Sequence, residues 1–160
     1  MKNITVAAAQ MGPIQKAETR EQVVKRMIKL MDDAKQCGAD LIVYPELTLT
    51  TFFPRYFMED QAEIDSWFES EMPNAATIPL FTKAKYYGMA ITFGYAELTS
   101  DGKHFNTSIF VDKSGSITGK YRKVHLPGHS EYDSNRDFQH LEKRYFQPGD
   151  LGFPVYRTLG

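Results

Sequence analysis

Cysteine is almost absent: the 160-residue sequence has one, Cys37. No intrachain disulfide can form, which fits a reducing, cytoplasmic setting. Long apolar runs are missing as well; none approaches the roughly 20 residues that span a bilayer. Nor is there an excess of either charge, with 19 Lys and Arg against 20 Asp and Glu. A net charge of −1 lacks the footprint of a partner for nucleic acid or an anionic membrane. Repeats, low-complexity tracts and linkers are also missing. The opening residues, "MKNITVAAAQMGP", carry one Lys and a short apolar stretch broken by Thr and Gln, which reads as a first strand rather than a signal peptide. What remains is 42% apolar and 24% charged residues, the balance of a soluble globular chain long enough for one domain.

The order of elements is legible. Residues 4–10 alternate as a strand does. "TREQ" at 19–22 is a capping-box pattern, after which Val23, Val24, Met27, Ile28, Met31 and Ala34 recur at helical spacing. Gly38 is suited to end that helix, and Leu41 to Tyr44 is an all-apolar strand of the kind covered on both faces. Strand, helix and strand in this order predict a right-handed parallel unit. Helices are expected over 62–69 and 78–87, then strands over 90–96, 105–111 and 116–122 with tight turns at "TSDGKH" and "DKSG". Residues 123–149 form a long polar segment, and "FPVYRTL" reads as a last strand. The expectation is an α/β domain with a mixed sheet. A strand this close to the last residue, with nothing after it to cover its edge, predicts a truncated chain.

Three stretches could carry chemistry. In "LIVYPELTLTTFFPR", Glu46 follows a strand end, where ligands of open α/β sheets bind. Apolar neighbours would desolvate it and raise its pKa toward that of a general base; by position alone, an ordinary loop Glu explains it better. In "GKYRKVHLPGH", alternation puts Lys120 and Arg122 on one face and Lys123 and His125 on the other. A lysine there can pair with Glu46 and meet an oxyanion, or simply solvate an edge strand. In "FQHLEKRYFQPGD", His140 and Glu142 could join His125 and His129 as metal ligands, but the spacing is permissive and Pro-Gly breaks any helix between the first two. Paired polar groups explain them better, so no metal or other cofactor is expected. Cys37 falls at the C-terminal end of the first helix, whose dipole disfavours a thiolate; it is not the expected nucleophile.

Taken together, "VYPELTLTTFFPR", "FGYAEL", "FNTSIFVDKSGSITGKYRKVHLPGH" and "FQHLEKRYFQPGDLGFPVY" resemble the nitrilase-type carbon–nitrogen hydrolases, and within them the N-carbamoyl-D-amino-acid hydrolases. The resemblance runs from about residue 4 to the end and covers roughly the N-terminal half of a family subunit, so 1–160 is expected to be part of a single domain. It implies an αββα sandwich, a homo-oligomer, a small N-carbamoyl amino acid as substrate, and a Glu–Lys–Cys triad without metal. Glu46 matches the general base, Lys123 the oxyanion-stabilising lysine and Glu142 the second carboxylate. Phe53, His125, His129 and His140 fall in segments that would shape the pocket. The matching nucleophilic Cys, and the arginines for a substrate carboxylate, lie beyond this sequence, so the chain alone is expected to be inactive. Rival expectations keep the chemistry with another substrate (a β-ureidopropionate or an aliphatic amide), or make the chain a non-catalytic companion of a complete subunit. A magnesium-dependent phosphodiesterase also places a Glu after a strand; the net charge and the Lys123 motif argue against it.

Overall fold

A computed structural model describes residues 3–159. The chain runs β1 (Val6–Ala8), α1 (Arg20–Gln36), β2 (Leu41–Val43), a 3₁₀ turn (Phe53–Arg55), α2 (Gln61–Asp65), α3 (Ile78–Tyr87), β3 (Ala90–Leu98), β4 (His104–Val111), β5 (Ile117–Arg122) and α4 (Glu142–Tyr145). The five strands form one mixed sheet in sequence order. β1, β2 and β3 are parallel, and β3, β4 and β5 antiparallel.

The capping box forms: Gln22 N–H donates to Thr19 Oγ1 at 3.3 Å, and Thr19 N–H donates to the Gln22 side chain at 2.9 Å. From there Val23, Val24, Met27 and Met31 present one stripe, each at most 2% exposed. They pack with Leu80, Phe81 and Ala84 of α3 against Ile42, Ile91, Phe93, Ile109 and Val111 of the sheet. Burial of each such side chain contributes about 1.5–3 kcal/mol. A second cluster, around Phe53, Trp67, Phe68, Leu141, Tyr145 and Phe146, holds the irregular segments together.

Both helices of the first cluster lie on one face of the sheet. The opposite face is more open, with Val6 and Val43 exposed and Thr92, Ser108, Phe110 and Tyr121 half-buried.

Three expectations fail locally. The expected terminal strand is absent: residues 152–159 form no strand ladder. Tyr156 lies against Gly119 and its hydroxyl donates to Lys120 O at 2.6 Å, while Phe153 rests on Tyr121. Side-chain packing takes the place of a ladder. The polar segment in turn contains a short helix, α4, which the many charges concealed. α2 also stops at Asp65 rather than at residue 69, where the chain turns so that Glu69 bridges to Glu97.

Candidate active site

Glu46 stands just past the C-terminal end of β2, on a backbone fixed from below. Gly94 of β3 passes so close that a Cβ there would meet Leu47 N at 2.9 Å and Glu46 Cα at 3.0 Å. Gly94 donates to Pro45 O at 3.3 Å and accepts from Thr48 N at 2.8 Å. Leu47 follows with φ 46°, a left-handed conformation that is strained for a leucine. Its side chain is buried, which turns the apolar neighbour into the core and leaves the Glu46 carboxylate outside. The expected desolvation does not follow: the side chain of Glu46 is 46% exposed.

Strand alternation divides the basic run. Lys120 and Arg122 face the helices, where both bind the buried carboxylate of Glu97. Burial would push Glu97 up, but hydrogen bonds from Arg122, Lys120 and Thr107 hold it at about 2. Lys123, one residue past β5, turns to the other face. Its Nζ lies 2.6 Å from Glu46 Oε1 and 3.1 Å from Glu142 Oε2. Burial draws the Lys123 ammonium down, yet its hydrogen bonds to Glu46 and Glu142 outweigh that and raise it above the ordinary lysine range. Glu142, at the start of α4, is 1% exposed; its polar partners are Lys123 and His140, whose Nε2 is 3.4 Å away.

Asn106 is the residue that motif reading missed. From mid-β4 its side-chain amide donates to Glu46 Oε1 at 2.7 Å, and its carbonyl accepts from Lys123 N at 2.8 Å. The available signal was a lone carboxamide in β4, buried although it shares its register with the half-buried Ser108 and Phe110.

The remaining candidates divide. The His140 ring meets Phe52 edge-on, with centroids 5.5 Å apart. His129 N donates to His140 O at 2.9 Å, a contact that Gly128 permits, since a Cβ there would lie 2.2 Å from the same oxygen. The His129 Nε2 is buried with no partner among the described residues. The exposed His125 stacks on Phe153 instead, and no hydrogen bond or ion pair among the described residues joins it to Glu46, Lys123 or Glu142. Phe53 is not at the surface of any cleft: it is 0% exposed and packs among Trp67, Phe68, Tyr145 and Phe146. Its neighbour Phe52 is the one that faces the site. Among the described residues, no group of three or more His, Cys, Asp or Glu is placed to hold a metal ion.

Glu46 divides two clefts. One, of about 260 Å³, is lined by Tyr44, Gly94, Asn106, Ser108, Tyr121 and Lys123. The other, of about 270 Å³, lies toward Thr48, Thr50, Thr51, Phe52 and Arg55. Chemically, the arrangement offers an accessible carboxylate for proton transfer beside a cation aimed at the same space. Cys37, exposed beyond the C-terminal end of α1, leads into the end of β2 opposite to Glu46.

This fold has known counterparts. Residues 5–160 match the carbon–nitrogen hydrolase family, and the chain belongs to it. It is 30% identical over 158 residues to N-carbamoylputrescine amidase from Solanum lycopersicum, covering 97% of this chain and 47% of that protein. A nitrilase from Pyrococcus abyssi is 34% identical over 153 residues, with 96% of this chain and 51% of the relative covered. Among solved structures, a carbon–nitrogen hydrolase from Helicobacter pylori G27 superposes with a TM-score of 0.74 at 24% identity, over 94% of this chain and 46% of that one. The chain thus spans about half the length of the relatives it matches. No helix of the described residues is long and apolar enough to cross a membrane.

Proposed function

We propose that this chain supplies the base, the lysine and the second carboxylate of a carbon–nitrogen hydrolase acting on N-carbamoyl-D-amino acids. One water would convert the ureide to the D-amino acid, ammonia and carbon dioxide. The observation that carries the reading is Lys123 bridging Glu46 and Glu142 at 2.6 and 3.1 Å. In this reading the nucleophile is a thiol from outside these 160 residues, in the rest of a complete subunit. Glu46 takes the thiol proton, the thiolate adds to the ureide carbon, and the Lys123 ammonium meets the oxyanion. Glu46 then returns the proton to the first departing nitrogen; water, deprotonated by the same base, cleaves the thioester to free the thiol and a carbamic acid, which loses carbon dioxide and so releases the second nitrogen. Glu142 holds Lys123 charged and in place.

The ureide is favoured by the relatives, because N-carbamoylputrescine amidase is named for a carbamoyl substrate. The amino-acid part and its D configuration rest on "TTFFPR" and "HLEKRYF" in sequence. The same tomato relative favours a second reading, in which the carbamoyl group sits on an amine. Ammonia release by the complete subunit from N-carbamoyl-D-alanine, its L enantiomer and N-carbamoylputrescine separates these. Turnover of the D acid well above the other two is expected; preference for N-carbamoylputrescine would overturn the assignment.

A further inference from the structure

Lys123 is the first residue past β5, where a chain leaving its ladder is free to fray. Here it is gripped instead. Lys123 N donates to Asn106 O at 2.8 Å on one side, and Lys123 O accepts from Gly149 N at 2.9 Å on the other. Gly149 comes so close that a Cβ there would meet Arg122 O at 2.0 Å, so only glycine fits the contact. The segment that brings Gly149 in begins at α4, whose Glu142 holds the far end of the same lysine, Nζ to Oε2, at 3.1 Å. On the way, Gln147 N donates to His104 O at 2.8 Å. Residues 142–149 therefore arch over Lys123 and hold it at its carbonyl and at its ammonium. The span between those two grips fixes where Nζ stands.

Arg122 ties that arch to the sheet. All three guanidinium nitrogens are engaged: Nε and Nη2 bind the two oxygens of Glu97 on β3, each at 2.9 Å, and Nη1 binds Asp150 at 2.8 Å. Its Cζ stands 4.1 Å from the centroid of the Phe105 ring, the neighbour in sequence of Asn106. A two-pronged bond to a buried carboxylate holds a guanidinium in one orientation. The third nitrogen is thus a fixed post for Asp150, and Asp150 follows directly on Gly149. Arg122 lines neither cleft beside Glu46, so it acts on the site through the backbone and not by its own charge.

We propose that Arg122 is a positioning residue for the hydrolysis, anchoring Asp150 so that the arch keeps Lys123 Nζ between Glu46 and Glu142. The inference rests on the reading of Lys123 as the partner of the oxyanion, and deepens it. A displacement of about 1 Å in such a group costs on the order of a hundred-fold in rate. Because the oxyanion exists only as the reaction proceeds, the loss falls on kcat and spares KM.

The test follows ammonia release by the complete subunit from whichever of the three ureides above it turns over fastest. Asp150→Ala removes the exposed end of the bridge, where an ion pair adds little to stability. It is expected to lower kcat about three- to ten-fold with KM and melting temperature nearly unchanged. Arg122→Met leaves Glu97 its bonds to Lys120 and Thr107 and is expected to lower kcat about ten- to a hundred-fold. Arg122→Lys should recover part of that loss. Adding Asp150→Ala to Arg122→Met should cost nothing further, since both act through one bridge. An unchanged kcat in Asp150→Ala overturns the positioning role, even where Arg122→Met fails to fold. So does a loss confined to KM, or fully additive losses in the double variant; each leaves the ureide reading standing. A wild-type subunit that releases ammonia from none of the ureides overturns that reading instead, and the positioning role with it.

Discussion

The side-chain amide of Asn106 donates to Glu46 Oε1 at 2.7 Å, the same oxygen that Lys123 Nζ reaches at 2.6 Å. Asn106 is 5% exposed, and its carbonyl also holds the backbone N–H of Lys123. One residue thus sets the rotamer of the acid and the start of the lysine. Asn106→Ala is expected to lower kcat/KM of the complete subunit about ten- to a hundred-fold, the cost of freeing a charged group from one hydrogen bond. Asn106→Asp should cost more, since a second carboxylate would repel Glu46 and compete for Lys123. Full turnover in Asn106→Ala with an unchanged circular dichroism spectrum would reduce Asn106 to a packing residue.

Gly94 makes the complementary prediction about backbone. A methyl group there has no room, since Leu47 N and Glu46 Cα would stand 2.9 and 3.0 Å from it and neither is the tip of a flexible side chain. Gly94→Ala should therefore displace Glu46 outward. Turnover is expected to fall about a hundred-fold, with thermal stability lowered by about 1–3 kcal/mol. The large effect on rate beside a modest one on melting is the signature to look for.

Lys123 and Glu142 are coupled through burial. Glu142 is 1% exposed, and Lys123 is its cationic partner at 3.1 Å. Lys123→Met should abolish turnover and also destabilise the fold by about 3–5 kcal/mol, the cost of stranding a buried charge. Adding Glu142→Gln removes that charge, so the double variant should regain much of the stability and none of the activity. Denaturant unfolding of the two single variants and the pair measures the coupling; additive losses would contradict it.

A pH dependence follows from the other face of the sheet. Glu97 lies 7% exposed under Lys120, Arg122 and Thr107, which hold its carboxyl at about 2 against an ordinary value of 4.5. A carboxyl depressed in the folded state contributes stability that is complete above its unfolded value and is lost as pH falls through the folded one. Unfolding free energy should therefore decline between about pH 5 and pH 2 by on the order of 2 kcal/mol from this group. Glu97→Gln should lower stability at pH 7 and flatten this part of the acid limb. An acid limb of unchanged steepness in the variant would assign the decline to other carboxyls.

Much of this was legible beforehand, for identifiable reasons. Thr19 and Gln22 encode a local cap, and the strands β3 to β5 are joined by short turns whose chemistry is local too, so their sequence states the structure. Alternation in "GKYRK" separated Lys120 and Arg122 from Lys123, and the structure keeps that division. What escaped was the product of contacts distant in sequence. Asn106 meets Glu46 across 60 residues, so a lone carboxamide in the strand could mark the position but not its partner. The four residues of α4 form because Leu141 is drawn under the Phe53 cluster, not by helix propensity. The wall residue was misjudged by one place: the turn at Phe53–Arg55 buries Phe53 and presents Phe52 and Arg55, a choice made by tertiary packing.

Cys37 gives the last prediction. It follows α1 and precedes β2, whereas Glu46 follows β2. The three residues of β2 alone separate the two by about 10 Å, while a base must come within about 3 Å of the proton it takes. Cys37 is also exposed, with no packing role to lose. Cys37→Ser should leave turnover of the complete subunit within two-fold of the parent, and alkylating Cys37 in the 160-residue chain should not alter ligand binding near Glu46. The 160-residue chain alone should release no ammonia from N-carbamoyl-D-alanine above background, since Glu46 and Lys123 have no thiol within reach. Turnover by that chain, or its loss in Cys37→Ser, would place the nucleophile in this chain after all and require a rearrangement of β2 that the sheet register does not allow.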